Sequence, residues 1–318
     1  MSVNKRGIAL LDYNDEQDLD LLVRISEMYY IQGKAQKEIS EALNLSRSGV
    51  SRLLNAARER DIVQFTVRNP SQRLLELGQA VTEEFGLVEC LLSPVERTYD
   101  ALQLRLAYQA AKCFLSLLES GDIVGVGFSS TVHKMVELLP NSSDYACMRF
   151  VPISGGTGVT RQPHINYTVQ LAASKFSGDY VSLNVPLYID EPTIVAKLFE
   201  EESIRQCTDL WDQLSCAVIG IGATNRAVPE GLRVPSPDLP TTAAVCGWFF
   251  DEHGKVVGDK TTAAISVKQL HDTPKVLAVA GGVHATVAIL AVLRAGFVTH
   301  LVTDEEVARD LLYLNRKK

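Results

Sequence analysis

The sequence predicts an α/β protein in two parts, an amino-terminal helix-turn-helix domain and a larger domain built on a doubly wound, mostly parallel sheet. Two observations predict this class. Before residue 61, three short amphipathic segments with helical spacing are joined by turn residues. After residue 120, apolar runs of strand length alternate with stretches of helix length, as in sheets covered by helices on both faces. We therefore expect domains at residues 1–68 and 69–318.

The first domain is predicted to contain three helices. Apolar residues recur at helical spacing over residues 19–30 until Gly33 ends the pattern, and a second short helix follows over residues 36–43. Asn44 can adopt the left-handed conformation of a tight turn, and Ser46 is a suitable N-cap for a third helix. The order helix, helix, turn, helix is that of a helix-turn-helix unit.

Between the two domains the sequence predicts a short strand and a connector. Residues 61–67, "DIVQFTV", alternate as a strand would, and the following Asn-Pro pair breaks the pattern. A helix over residues 72–85 then lies within a connector that we assign to residues 69–90.

The second domain is predicted to contain buried strands and one hairpin. The strands are read from apolar runs at residues 122–128, 148–153, 216–222, 275–282 and 299–304. Residues 246–257, "CGWFFDEHGKVV", predict a hairpin with Asp251 and Gly254 in its turn.

Composition excludes several classes of protein. The 318 residues are 46% hydrophobic and carry a formal net charge of −7, which argues against a protein that coats nucleic acid over its whole surface. No apolar run approaches membrane-spanning length, and the start does not resemble a secretory signal, so we expect a cytoplasmic protein. The six cysteines are widely spaced, which favours reduced core thiols and predicts neither a metal site nor a cofactor.

The third predicted helix is the one locally cationic segment, with three arginines and no acid between Ser46 and Arg58. In a helix-turn-helix the second helix of the motif lies in the major groove of DNA, where arginine, serine and asparagine contact base edges and phosphates. Val50, Leu53 and Leu54 can pack inward while the polar residues face out. The predicted DNA-binding residues are Gln36, Lys37, Ser46, Arg47, Ser48, Ser51, Arg52 and Asn55. The alternative is a solvated cationic surface helix.

Glycine-rich segments follow several predicted strands, in "GVGFSST", "ISGGTGVT", "GIGAT" and "AGGVHAT". Loops at the carboxyl ends of parallel strands form the ligand crevice of an open α/β sheet, so these segments can converge on one pocket. None matches the dinucleotide or phosphate-loop fingerprints, which argues against nucleotide binding. A glycine-rich turn can equally reflect backbone geometry alone.

Taken in order, these segments resemble the SorC family of sugar-binding bacterial transcriptional regulators. The resemblance is carried by "QKEISEALNLSRSGVSRLL", "GDIVGVGFSST", "VPISGGTG", "GIGA", "CGWFFDEHGKVV" and "VAGG...AILAVLRAGFVTHLVTDEEVA", which together cover nearly the whole chain. It implies a winged or plain helix-turn-helix, an effector domain similar to sugar-phosphate isomerases and deaminases, operator DNA as a partner, and a dimeric or tetrameric assembly.

The resemblance also implies a set of effector-binding residues. These are Gly127, Ser129, Ser130, Thr131, Ser154, Gly155, Gly156, Thr157, Asn166, Gly281, Gly282 and His284, with Pro186 and Tyr188 at the same crevice. His284 alternatively caps a helix at the surface.

Three positions depart from the family pattern. Many members that bind phosphorylated effectors carry a lysine where this chain has Ala285, and they tend to carry an acid where it has Ala244. A member that uses a Schiff-base lysine would carry it where this chain has Ser154. Loss of the cation favours a neutral sugar or polyol, such as a ketohexose, as the effector. A sugar phosphate is the alternative effector. Two alternatives to an effector-controlled regulator are a sugar-phosphate isomerase or deaminase with a helical extension, and a constitutive repressor that has lost ligand binding.

Overall fold

The computed structural model describes residues 16–64, 70–145, 147–158, 163–224, 232–233, 239–258 and 262–316. The chain divides into two compact units between Asn69 and Pro70. Each unit has its own hydrophobic core.

The first unit is helical. Its helices are α1 (Glu16–Ser26), α2 (Gln36–Leu43) and α3 (Arg47–Glu59). Asn44 ends α2 with φ 52°, and the Oγ atom of Ser46 accepts the amide of Gly49 at 3.0 Å as the N-cap of α3. Ile39 and Val50 are fully buried in the core that joins the three helices. The predicted helix-turn-helix is confirmed.

Two details differ from the sequence-based expectation. The first helix does not continue regularly, because the chain forms a π-helical turn over Glu27–Ile31 after α1. Residues 61–64 form a turn and a bend rather than the start of a strand, because Asp61 takes a positive φ of 57°. The remainder of the predicted strand, residues 65–67, lies outside the described residues.

The second unit is an α/β domain. Its helices are α4 (Pro70–Phe85), α5 (Tyr99–Leu117), α6 (Ser130–Leu138), α7 (Ile165–Lys175), α8 (Pro192–Glu200), α9 (Glu202–Thr208), α10 (Val267–Asp272), α11 (Thr286–Ala295) and α12 (Glu305–Arg316). Its strands are β1 (Glu89–Ser93), β2 (Ile123–Val126), β3 (Arg149–Pro152), β4 (Asp179–Tyr180), β5 (Cys216–Gly220), β6 (Gly222–Ala223), β7 (Ala243–Val245), β8 (Trp248–Phe250), β9 (Val256–Val257), β10 (Lys275–Val279) and β11 (His300–Asp304). Short 3₁₀ turns occupy Trp211–Gln213 and Val283–Ala285.

Seven strands form one parallel sheet in the order β1-β11-β10-β5-β2-β3-β4. From β2 the chain passes through α6 to β3 on one side, whereas from β5 it returns to the sheet at β10 on the other side. Neighbouring strands β2 and β5 therefore form the topological switch point, where open α/β sheets bind ligands at the carboxyl ends of their strands.

Alternate residues of the central strands enter different cores. Val218 and Leu277 pack with α5, α6 and α7 on one face, while Ile219 and Ala278 pack with α11 and α12 on the other. Both faces of the sheet are thus covered by helices, and the predicted doubly wound fold is confirmed. The five predicted strands correspond to β2, β3, β5, β10 and β11.

The predicted connector ends earlier than expected. Helix α4 ends at Phe85, and residues 89 and 90 already belong to edge strand β1, which pairs with β11. Gly78 allows this helix to approach the strand closely, since a Cβ atom there would lie 2.5 Å from the carbonyl oxygen of Cys90.

A second, antiparallel sheet has the order β6-β7-β8-β9. The predicted hairpin is present as β8 and β9, and the Oδ1 atom of Asp251 accepts the amides of His253 and Lys255 in its turn. However, Cys246 and Gly247 do not belong to a strand. They form a tight turn between β7 and β8, with positive φ angles of 50° and 88°.

Candidate functional site

Helix α3 carries the candidate DNA-contacting surface of the first unit. Arg47, Ser48, Arg52 and Asn55 are exposed on one side, and Ser51 is half-buried at its edge. The opposite side packs into the core. The spacing of four residues aligns the polar side chains along one face of the helix.

The other predicted DNA-contacting residues surround this face. Gln36 is half-buried at the start of α2, and Lys37 is exposed, with its ammonium 4.0 Å from the carboxylate of Glu41. Ser46 is occupied as the cap of α3. Arg58 donates from Nε to the hydroxyl of Tyr30 at 3.0 Å, which ties the end of α3 to the π-helical turn.

The second unit contains a cavity of about 340 Å³ at the topological switch point. Its wall is formed by the segments that follow four adjacent strands, β10, β5, β2 and β3, together with α5 and the turn between β7 and β8. This volume lies within the usual range of small-molecule sites. Half of the predicted effector residues line it, namely Ser129, Ser130, Thr131, Ser154, Gly281 and His284.

Two backbone positions that are typical of anion binding are occupied by the protein's own oxygen atoms. At the start of α6, the Oγ atom of Ser129 accepts the amides of Thr131 and Val132 at 3.2 and 3.4 Å. Beyond β10, the amide of Gly282 donates to the buried carboxylate of Asp304 at 2.6 Å. These amides are therefore not free to bind a phosphate, and Asp304 adds negative charge beside Gly281.

The positions that depart from the family pattern all line the cavity. Ser154, Ala244 and Ala285 are each buried in its wall. Among the described residues, the Oγ atom of Ser154 has no hydrogen-bond partner although the residue is fully buried. An unpaired buried hydroxyl is costly, so this atom is available to a ligand.

Helix α5 contributes a polar group that the sequence patterns did not reveal. Gln103 is buried in the cavity wall, where its Nε2 atom lies 3.1 Å from Oγ of Ser130. Its Oε1 atom accepts from the ammonium of Lys134 at 2.7 Å. A polar residue beside the apolar positions Leu102 and Leu106 was the signal available in the sequence.

Other lining residues were also missed. Tyr99 stands at the cavity wall with its ring centroid 5.4 Å from that of His284, and burial raises the pKa of its hydroxyl. Cys246 and Gly247 line the cavity from the tight turn. Burial raises the pKa of the Cys246 thiol to about 12, so this side chain is an uncharged thiol at neutral pH.

The remaining predicted effector residues are Gly127, Gly155, Gly156, Thr157, Asn166 and Gly282, and neither they nor Pro186 and Tyr188 belong to the cavity wall. Several of them hold loops together. Gly127 and Gly155 donate their amides to the carbonyls of Val218 and Ala263 at 2.8 Å. The Oδ1 atom of Asn166 accepts the amide of Leu183 at 3.0 Å. Gly127 and Gly155 permit close contact between backbone segments. From the sequence alone, a glycine with this structural role cannot be distinguished from a glycine that contacts a ligand.

The described lining has few groups suited to acid-base chemistry. Its titratable side chains are Tyr99, Cys246 and His284, and it includes no carboxylate, lysine or arginine. Within the described part of the chain, no cluster of histidine, cysteine and acidic residues is arranged to hold a metal ion. None of the described helices combines the length and apolar character needed to cross a membrane.

Comparison with known proteins shows similarity across both units. Residues 69–313 match a family model described as "Putative sugar-binding domain". The chain is 28% identical over 314 residues to the sorbitol operon regulator of Klebsiella pneumoniae, covering 94% of this chain and 99% of that protein. It is 27% identical over 310 residues to the transcriptional regulator LsrR of Enterobacter sp. (strain 638), covering 93% of each.

A solved structure has a similar fold. The crystal structure of the full-length sorbitol operon regulator SorC from Klebsiella pneumoniae matches with a TM-score of 0.71 and 26% sequence identity. The match covers 94% of this chain and 100% of that chain.

Proposed function

Because the chain belongs to the SorC family of sugar-binding transcriptional regulators, we propose that it controls a carbohydrate-utilisation operon, binding operator DNA through α3 and a small sugar or polyol in the cavity. One observation carries the proposal: the same chain joins a helix-turn-helix with an exposed arginine face to a hydroxyl-lined cavity at a sheet switch point. A ligand with different affinity for two arrangements of such a protein shifts its DNA-competent population.

The charge distribution supports DNA contact through α3. Ten basic and ten acidic side chains precede Pro70, so the whole acidic excess of the protein belongs to the remainder of the chain. Arg47 begins α3, whose first turn has no acidic residue, and Arg52 is exposed further along the same helix. Arg47, Ser48, Ser51, Arg52 and Asn55 are the proposed groove contacts, with Gln36, Lys37 and Ser46 beside the phosphate backbone.

The polar groups of the cavity favour an uncharged effector. The amides of Thr131, Val132 and Gly282 already have oxygen partners, and Ala285 offers no cation. Ser130, Thr131, Ser154 and His284 remain as partners for ligand hydroxyl and carbonyl oxygens. We therefore place a neutral sugar or polyol, such as a ketohexose, in this cavity in preference to a sugar phosphate.

The chain acts as a regulator rather than as a sugar-phosphate isomerase or deaminase. Such an enzyme needs a general base and a second acid or lysine close to the sugar carbons. The described lining supplies hydroxyls and a protonated thiol instead. The relatives compared above are named as regulators.

The assembly proposed for DNA binding is a dimer or a tetramer in the cytoplasm. A dimer presents two recognition helices about 34 Å apart, one turn of DNA, so that it reads two related half-sites. Sedimentation of the full chain with and without operator DNA measures the number of copies bound.

The DNA-binding proposal is tested with Arg47→Ala and Arg52→Ala in the full chain. Fluorescence anisotropy with the DNA upstream of the gene should show that each substitution weakens binding by roughly fivefold or more, since a bidentate arginine contact with a base contributes about 1–3 kcal/mol. Arg24→Ala, an exposed arginine of α1, is the matched control. Normal binding by both α3 variants would mean that another surface contacts DNA.

The effector proposal is tested by thermal shift with D-fructose, D-sorbitol and the 6-phosphate of each. A ligand present at a hundred times its dissociation constant should stabilise the protein by about 2.7 kcal/mol. Stabilisation by the neutral compounds supports the proposed class. Stabilisation by the phosphates alone contradicts it, and no response to a broader sugar panel would favour the constitutive repressor.

A further inference from the structure

Gln103 is buried in the cavity wall, and its role there rests on the proposed binding of an effector in this cavity. Gln103 lies on α5, across the cavity wall from the first turn of α6. Its Nε2 atom lies 3.1 Å from Oγ of Ser130 and 3.5 Å from Oγ1 of Thr131, while its Oε1 atom lies 2.7 Å from the ammonium of Lys134. Both ends of the carboxamide are therefore engaged by the same helix.

Lys134 determines which way this carboxamide points. The oxygen and nitrogen of a glutamine side chain are nearly equivalent in shape, so the surrounding donors and acceptors decide its orientation. A lysine ammonium has three donors and no acceptor, so only the oxygen of Gln103 can face it. The nitrogen must then face the hydroxyls of α6.

The orientation of Gln103 in turn determines what those hydroxyls can do. When the Oγ atom of Ser130 accepts from Gln103, the hydroxyl proton of Ser130 remains available for donation. Ser129 is in a similar state, because its oxygen already accepts the two amides that begin α6. The α6 side of the cavity thus presents hydroxyl protons rather than free acceptor oxygens.

We propose that Lys134 and Gln103 set the hydrogen-bond polarity of the α6 wall, so that Ser130 donates its hydroxyl proton to an acceptor oxygen of the bound sugar. In this arrangement Gln103 is a positioning residue that acts through Ser130. The wall recognises carbonyl, ring or hydroxyl oxygens, and it does not recognise a ligand group that can only donate.

The main test replaces Gln103 by glutamate. A carboxylate cannot donate, and it accepts the proton of Ser130 instead, so the wall loses its donor. Isothermal titration calorimetry of the full-length protein is carried out with D-fructose, D-sorbitol and their 6-phosphates. For each compound that binds the wild type, the dissociation constants of variant and wild type are compared. We expect Gln103→Glu to weaken their binding by about tenfold or more, and Lys134→Met to weaken it by roughly threefold or more.

A double-mutant cycle with Ser130→Ala separates positioning from a general structural effect. If Gln103 acts through Ser130, Gln103→Glu should weaken binding by less than about threefold once the Ser130 hydroxyl is absent. Gln170→Glu, at an exposed position of α7, and Lys112→Met, at an exposed position of α5, are matched controls that should bind as the wild type does. Equal affinity of Gln103→Glu and wild type, or fully additive effects, would overturn the inference.

A second measurement needs no ligand. Lys134→Met should lower the melting temperature in the wild-type background but not in the Gln103→Leu background, because the contact between the two side chains is already lost there. Additive shifts in melting temperature would also overturn the inference. If only the phosphates bind the wild type, the proposed effector class is wrong. The ratio of the phosphate's dissociation constants in Gln103→Glu and wild type then still tests the polarity of the wall. If none of the four compounds binds, the proposed ligands fail, and additive shifts in this melting-temperature cycle would still overturn the inference at its first step, the orientation of Gln103 by Lys134.

Discussion

Replacing Asp304 by asparagine should strongly destabilise the second unit. The carboxylate is 2% exposed and accepts three amides: Oδ2 accepts that of Gly282 at 2.6 Å, and Oδ1 accepts those of Glu306 and Val307 at 3.1 Å. Asparagine keeps only one oxygen, so its NH₂ group must face one of these donors. The unpaired buried amide costs about 1–3 kcal/mol, and exchange of a charged for a neutral acceptor adds about 1 kcal/mol. We expect a total loss of about 2–4 kcal/mol.

Urea unfolding followed by tryptophan fluorescence measures this loss, because Trp211 and Trp248 both lie in the second unit. Asp251→Asn is the matched control. Asp251 accepts both of its turn amides through Oδ1 alone, so asparagine can replace it at a cost below about 0.5 kcal/mol. The reasoning is refuted if Asp304→Asn loses less than about 1 kcal/mol, or no more than the control at the same protein concentration.

Three further predictions concern pH, packing and salt. Burial lowers the pKa of His300 from its ordinary value of 6.5, so its contribution to stability is complete above that pH and is lost as the pH falls through the lowered value. Urea midpoints between pH 7.5 and 5 should therefore fall less steeply in His300→Gln, and identical slopes would contradict this. Gly220→Ala places a Cβ atom against the Ser129 hydroxyl and should weaken effector binding by roughly tenfold or more in calorimetry, with operator affinity unchanged. Operator binding should weaken as salt rises, and the slope of log affinity against log salt should decrease by about 1 in Arg52→Ala; an unchanged slope would mean that Arg52 does not neutralise a phosphate.

The helix-turn-helix and the parallel sheet were predictable because their signals are local. Asn44 and Ser46 specify a turn and a helix cap through their own side chains. The central strands are continuous apolar runs, as strands buried on both faces must be. Edge strand β1 lacks so clear a run, and β7 has only three residues, so neither was recognised.

The cavity was only partly predictable because several of its residues meet through tertiary packing. Loops after parallel strands were expected at one edge of the sheet, and Ser130, Ser154 and Gly281 do lie there. Gln103 reaches the same place from the helix that precedes β2, which no strand-end pattern indicates. Gly155 follows a strand too, but its missing side chain makes room for the backbone at Val185 and Pro186.

The small antiparallel sheet allows the ligand-binding wall to vary independently of the parallel sheet. Its strands lie between β5 and β10 in the chain, and they pair with one another rather than with the parallel sheet. Ala244, Cys246 and Gly247 nevertheless form part of the cavity wall. Substitutions in this segment can therefore change the shape and chemistry that a ligand meets while every hydrogen bond of the central sheet is kept. Effector preference can diverge among related chains without a matching change in the framework that supports it.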